Sequence, residues 1–406
     1  MGCLVLSPAD ISRRLGYDAP RMNDSDSRPR RLLTIGHSYC IALNRRLANE
    51  MAVAGRGEWE VTCAAPKFLQ GDLRPVHLER SENEACRLEP VPLHFSRRIH
   101  GMWYGRRLRQ LMREPWDVIH CWQEPYIVVG GQIARWTPPG TQLVYASFQN
   151  ISKNYPPPFA SIERYAMRRA AGWIAFGKTV EENLAPRPFY AELPHRVIPL
   201  GVDLDRFKPD PDARARVHTE LGWTAPGPPV VGYLGRFVEE KGLDLLLRTL
   251  NGLDQPWRAL FVGSGPMEKE LRAWADASGS RARIVTGVVH DAVPDYVNAM
   301  DMLVAPSQTR PNWREQLGRM LLEAFACGVP VIASDSGEIP QVVGDAGVIV
   351  GEADAAGWAN AISRMLGSSE LRAEYAAKGR TRAETEFTWP RIARRHLDFF
   401  EELTQR

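Results

Sequence analysis

Apolar residues in this chain fall into short runs, each closed by glycine, proline or charge, with longer amphipathic stretches between them. Runs of this length bounded by turn residues predict strands buried on both faces. They lie at 32–35, 59–64, 117–120, 142–147 and 173–176 in the first half, and at 230–234, 259–263, 283–286, 302–305, 329–334 and 347–350 in the second. The first run passes through Gly36-His37-Ser38-Tyr39 into a helical pattern over 41–54, which is how a Rossmann-like unit opens. Strands alternating with helices imply parallel sheets and an α/β fold.

Proline and glycine divide the chain further. Pro156-Pro157-Pro158 and the 186–194 stretch read as loops, and a Pro-, Asp- and Gly-rich segment over 199–228 reads as a linker. The expected domains are 31–198 and 229–388, preceded by a disordered leader over 1–30. A final amphipathic helix, 389–406, has Ile392, Leu397, Phe400 and Leu403 on one side. No fixed short repeat is visible.

The densest chemistry lies in Glu315-Gln-Leu-Gly-Arg-Met-Leu-Leu-Glu323, followed by Ala-Phe-Ala-Cys-Gly-Val-Pro330. A helix is expected from Leu317-Gly318 to about 326, stopped by Gly328 with Pro330 beyond. A carboxylate among Leu321, Leu322, Ala324 and Phe325 needs a partner. Either Glu323 meets a Lys or Arg and Glu315 is a first-turn helix acid, or the two contact one elongated polyhydroxylated ligand. Some 80 residues earlier, Gly235-Arg236-Phe-Val-Glu-Glu-Lys241-Gly242 follows a strand. Glycine there admits a ligand close to the backbone, while Arg236 and Lys241 can reach one phosphate from both ends of the loop. A solvated turn with a Glu240–Lys241 charge pair is the alternative.

In this order, the two segments, with Ala-Cys-Gly-Val-Pro-Val-Ile-Ala-Ser334 and Gly337-Glu-Ile-Pro340, resemble the donor-site signature of the retaining glycosyltransferases of family 4. The resemblance implies a GT-B fold, two Rossmann-like domains facing a cleft, with the last helix crossing back onto the first domain. It assigns Arg236 and Lys241 to the donor pyrophosphate, Glu315 to sugar hydroxyls and Glu323 to the ribose diol. Gly235, Gly263, Val288, Leu317 and Gly318 become donor-binding positions, the Leu317 and Gly318 amides at a helix N-terminus. The implied activity is metal-independent transfer of a hexose, with retention, from a UDP- or GDP-sugar to a hydroxyl of a saccharide, lipid or small molecule. The nucleotide sugar is a co-substrate, and the resemblance calls for no cofactor or metal. Alternatives within the fold are a nucleotide-sugar epimerase or a sugar phosphorylase; outside catalysis, a membrane-associated scaffold binding nucleotide sugar.

In the first half, Gly36, His37 and His120 are candidates for cleft contacts, with His37 read alternatively as a turn histidine and His120 as a core residue. Family members often carry a second histidine or a glutamate two residues after the position of His120; here Trp122 stands in its place, followed by Gln123 and Glu124. The segment 97–113 holds six arginines and no acid, with Trp103, Tyr104, Leu108, Leu111 and Met112 between them. It reads either as a membrane-surface helix or lipid-phosphate acceptor site, or as an ordinary helix with basic solvated positions.

Composition narrows the rest. The 406 residues suffice for two domains, and 44% hydrophobic with 24% charged residues suits a globular enzyme. A formal net charge of +3 gives no argument for nucleic acid. Cys3, Cys40, Cys63, Cys86, Cys121 and Cys327 show neither a Cys-x-x-Cys pair nor zinc spacing, so they read as core residues in a reducing cytosol. With no 18-residue apolar run and no signal-like start, the expectation is a cytoplasmic protein, peripheral to the inner membrane face if 97–113 binds lipid.

Overall fold

The computed structural model describes residues 28–70, 75–82, 84–224 and 226–406. The leader expected over 1–30 lies outside the described residues except at its end, where Arg28 pairs with Asp117 at 3.0 Å and Arg30 opens the first strand.

Two parallel sheets form the frame. The first contains β1 (Arg30–Ile35), β2 (Trp59–Pro66), β3 (Arg87–Val91), β4 (Val118–Cys121), β5 (Gln142–Ser147), β6 (Gly172–Ala175) and β7 (His195–Val197), in the order β7-β6-β5-β4-β1-β2-β3. The second contains β8 (Val230–Arg236), β9 (Arg258–Ser264), β10 (Ala282–Val285), β11 (Met302–Ala305), β12 (Val331–Ser334) and β13 (Val348–Val350), in the order β10-β9-β8-β11-β12-β13. Central strands such as β4, β6, β11 and β12 are buried at every position, as a sheet covered on both faces requires. Each order reverses once, between β1 and β4 and between β8 and β11. Ligands of open α/β sheets bind beyond the strand ends at such reversals.

Three helices matter to the site: α1 (Lys178–Leu184), α2 (Arg319–Ala326) and α3 (Trp389–Thr404). The chain enters α3 through Thr388, whose side chain accepts the Arg391 N–H, with Pro390 in the first turn. Its apolar face, including Ile392, Leu397, Phe400 and Leu403, packs with Leu47, Met51, Trp59 and Val61 of the first half. At about 1.5–3 kcal/mol per fully buried large side chain, that face suffices to hold the helix on the distant sheet. The crossing-back expected of the last helix is therefore observed.

Three stretches depart from local expectation. Over 37–45 the backbone makes two tight turns, His37–Cys40 and Ala42–Arg45, so the helix expected over 41–54 begins only at Arg46. The cause is tertiary: Arg45 is fully buried and donates to the Tyr39 and Glu79 carbonyls at 2.6 and 2.7 Å and to Glu84. Nor is 97–113 a single helix. It is a turn (Ile99–Gly101), a strand (Trp103–Tyr104) paired with Leu93–His94, and a short helix (Arg106–Leu111). Gln132 imposes the break, gripping both the N–H and the carbonyl of Tyr104 at 2.9 Å. Within 199–228, the helix Pro211–Glu220 is capped by Asp210, and Val217, Leu221 and Trp223 join the second half's core.

Candidate functional site

Gly235 and Gly263 stand directly opposite each other on β8 and β9. A Cβ on Gly263 (φ 156°) would lie 1.8 Å from the Gly235 carbonyl oxygen, so only glycine fits and bare backbone faces the crevice. Arg236 follows with its side chain 62% exposed, and Glu240, at 3.4 Å, is its only carboxylate neighbour among the described residues. Lys241, five residues on, has a different environment. Gly242 (φ 70°) would place a Cβ 1.8 Å from the Pro306 carbonyl, and its absence lets the loop after β8 press against the loop after β11. Lys241 thereby bonds the Glu315 carboxylate, which also accepts the Ser307 hydroxyl at 3.0 Å. The Trp313 ring lies 5.1 Å from the ammonium. This group sits at the second sheet's order reversal. In this structure the two cations do not work as equals: Arg236 is open, whereas Lys241 is engaged by Glu315.

Glu315 is held through its backbone as well. Its carbonyl accepts the Glu338 N–H at 3.1 Å and the Asn150 side chain, from the first half, at 2.9 Å. A Cβ on Gly337 would stand 2.0 Å from that carbonyl. Leu317 is buried in the core, and Gly318 (φ 75°) stands at the start of α2, whose first-turn N–H groups take no side-chain cap among the described residues.

Glu323, on α2, is partly buried and has no hydrogen-bond partner for its carboxylate among the described residues. Burial raises its pKa to about 7, against the opposing charges of Arg319 and Arg206. Arg206 also donates to the His290 carbonyl and lies 3.5 Å from Asp291, so it ties the 288–291 loop to this carboxylate. Val288 packs partly on the core, while Val289 is exposed.

The facing half offers rings. A cavity of about 430 Å³ is lined by His37, Trp122, Glu124, Tyr126 and Phe148, and from the second half by Gln316 and Arg319. A smaller one, about 190 Å³, shares Glu124, Tyr126, Phe148 and Gln316 and reaches Trp313. Phe148 stacks on Phe176 at 3.7 Å, and Tyr126 on Tyr155 at 4.0 Å. Glu124 sets this loop by accepting the Phe148 N–H (2.8 Å), the Ser147 hydroxyl (2.7 Å) and the Gln149 amide (2.9 Å); burial raises its pKa.

The expectation for His120 needs correcting. It is fully buried, with Nδ1 3.1 Å from the Thr34 hydroxyl and its ring 5.7 Å from His396 of α3, and it lines neither cavity. Alternation along β4 turns it under the sheet, against α3. Gly36 packs on the Tyr39 ring, and His37 is the member of that turn at the cavity wall.

The halves meet through Glu338. Its carboxylate accepts the Lys178 N–H (2.6 Å), the Thr179 N–H (2.8 Å) and the Thr179 hydroxyl (2.6 Å), capping α1 from the other half. A Cβ on Gly177 would collide with that carboxylate at 2.4 Å. Sequence reading missed this contact, along with Ser307, Trp313, Arg206 and Asn150. Local signals existed for Arg319, directly after Gly318, and for Glu338, within Gly337-Glu-Ile-Pro340.

The chain matches the glycosyl transferases group 1 family over residues 228–368 and glycosyltransferase family 4 over residues 44–206. It is 32% identical over 396 residues to a D-inositol 3-phosphate glycosyltransferase of Xylanimonas cellulosilytica, covering 91% of each chain. With a GDP-mannose-dependent alpha-(1-6)-phosphatidylinositol monomannoside mannosyltransferase of Mycolicibacterium smegmatis it shares 35% identity over 237 residues, 56% of this chain and 58% of the relative. Anabaena HepE, solved in complex with UDP and glucose, superposes with a TM-score of 0.70 at 19% identity, over 92% of this chain and 100% of HepE. That likeness establishes the GT-B fold.

Proposed function

This chain belongs to glycosyltransferase family 4, and from that premise we propose that it transfers a hexose, with retention and without a metal ion, from a UDP- or GDP-sugar to an acceptor hydroxyl. The observation that carries this reading is the meeting of charge and bare glycine backbone at the reversal between β8 and β11. As the sugar–phosphate bond breaks, its electron pair stays on the diphosphate. Arg236, Lys241 and the first-turn N–H groups of α2 stabilise that charge, the work a metal would otherwise do. Glu315 contacts the sugar from the Lys241 side, and Glu323 takes the ribose diol. The new bond forms on the face the phosphate leaves, and the hydroxyl proton passes to the departing phosphate oxygen. Glu315, already bonded to Lys241 and Ser307, is poorly placed to act as a nucleophile.

The acceptor enters the ring-lined cavity, where Trp122, Tyr126 and Phe148 offer flat faces and Glu124 is held at their junction. The outer rim supports a lipid-bearing acceptor. Phe95, Ile99 and Trp103 are exposed, and Arg97, Arg98, Arg106, Arg109 and Arg113 have no carboxylate partner among the described residues, whereas Arg107 pairs with Glu89. Arginines beside exposed rings suit an anionic cytoplasmic membrane face. No helix among the described residues is long and apolar enough to cross a membrane.

Calorimetric titration with UDP- and GDP-sugars in EDTA, on the wild type and Glu323→Ala, tests the donor assignment. Selective binding to one nucleotide, weakened in the variant, is expected. Equal binding by both proteins would overturn the assignment of Glu323, and binding that needs added metal would overturn metal independence.

A further inference from the structure

A further cavity of about 700 Å³ also lies between the halves, apart from the ring-lined one. It lies at the hinge where the chain leaves β7 and returns into α3, and it shares no lining residue with the ring-lined cavity. Its volume falls in the range of small-molecule sites. Arg391 and Arg395 of α3 form one wall; Leu317 and Glu338 of the donor half form another.

The two arginines are placed at an electrostatic cost. They are spaced i,i+4, so their like charges repel. Arg391 also lies in the first turn of α3, where the helix dipole disfavours cations. Both residues are exposed at the cavity, and the Arg395 pKa is lowered from the ordinary arginine value by partial desolvation and by Arg391, against the opposing charge of Glu386. Nearby acids are already committed. Glu338 caps α1, Glu386 pairs with Arg382 at 2.9 Å, and the Lys178 ammonium is held by Glu181. Arg395 donates only to the Val197 carbonyl, at 2.6 Å, and the Arg391 side chain has no hydrogen-bond or carboxylate partner among the described residues.

An anion between the two guanidinium groups would relieve both penalties at once. We propose that this hinge cavity is a second anion site, distinct from the donor pyrophosphate site, which binds a phosphate monoester through Arg391 and Arg395. A ligand there would touch Glu338 and Leu317, and so bear on the clasp between the halves and on the loop that carries Glu315.

The test uses the full chain and inorganic phosphate or a hexose monophosphate as probe, read by thermal shift and calorimetry. Arg391→Glu reverses the charge without removing any hydrogen bond and is expected to weaken phosphate binding about tenfold or more. Arg395→Gln should weaken it to a similar extent. Arg236→Gln should leave it intact, since that residue belongs to the donor site. Phosphate stabilisation that survives Arg391→Glu, or that vanishes in Arg236→Gln, would overturn the proposal, as would no phosphate effect on the wild type. Anionic vesicles distinguish the source: binding by vesicles that drops in Arg391→Glu assigns a lipid headgroup, and a response to soluble phosphate alone assigns a free metabolite.

Discussion

The second sheet ends in glycine and charge, the first in aromatic rings. Beyond β8, β9 and β11 stand bare glycine backbone and the charged groups Lys241, Glu315 and Glu323, to which the proposed function gives the diphosphate and the sugar hydroxyls. At β4 and β5 the crevice is walled by Trp122, Phe148 and Tyr126, while the ionisable groups are turned inward, as His120 is, or held by neighbours, as Glu124 is. A diphosphate is recognised by charge, whose placement is exacting and cannot vary much. Rings accept many ring-shaped or lipid-bearing partners, so on the proposed reading variation there would change the acceptor without disturbing the chemistry.

The sharpest way to break this comparison is Lys241→Ala. Removing one preorganised charge from the leaving-group side should lower kcat/KM by about 10²–10³-fold. It also leaves Glu315 buried without its partner, at a cost of about 3–5 kcal/mol. Pairing it with Glu315→Ala should restore the melting temperature but not turnover. Arg236→Ala, being exposed, should lose turnover alone. Kinetics and thermal melts of the four proteins decide, and unchanged turnover in Lys241→Ala would remove the charge argument.

Glu338→Ala strips the cap from α1 and leaves the Lys178 and Thr179 N–H groups unpaired, for about 1–3 kcal/mol measured by denaturant unfolding. If stability were unchanged, the clasp would hold nothing.

The halves should also answer pH with opposite signs. Glu323 has its folded pKa raised from 4.5 to about 7, so its contribution is best at low pH and is lost as pH rises through that window. Glu323→Gln should therefore gain on the wild type by a few degrees of melting temperature at pH 8 and by little at pH 5. His396 is the reverse case. Burial lowers its pKa from 6.5 to about 4, with Arg395 adding to the shift and His120 facing it, so its contribution is present above pH 6.5 and lost toward pH 4. His396→Phe should gain on the wild type as the pH falls. Parallel trends in the two variants would refute the contrast.

The smallest effect belongs to the rim. Arg106→Gln with Arg109→Gln should weaken binding to anionic vesicles by about 1 kcal/mol for each charge, with soluble-acceptor kinetics unchanged. Co-sedimentation checks it.

Much of the second half was legible from the sequence because its chemistry is local. Gly235, Arg236, Lys241 and Gly242 share one turn, Glu315 to Glu323 one loop and helix, and Gly242 is demanded by a backbone approach, to the Pro306 carbonyl, that no other residue allows. Strand runs and the amphipathic face of α3 were legible for the same reason, since burial on a sheet or helix imposes a short period. Tertiary structure alone decided the rest. Arg45 and Gln132 reshape 41–45 and 97–113 through hydrogen bonds spanning dozens of residues. His120 looked like a cleft residue until the face of β4 on which it lies was known to pack against α3. That Lys241 meets Glu315 rather than Glu240, that Arg206 reaches Glu323, and that Glu338 caps a helix 160 positions away all depend on which strand ends lie side by side. Pairings of that kind are set by the strand order of a closed-packed fold, and no local pattern encodes them.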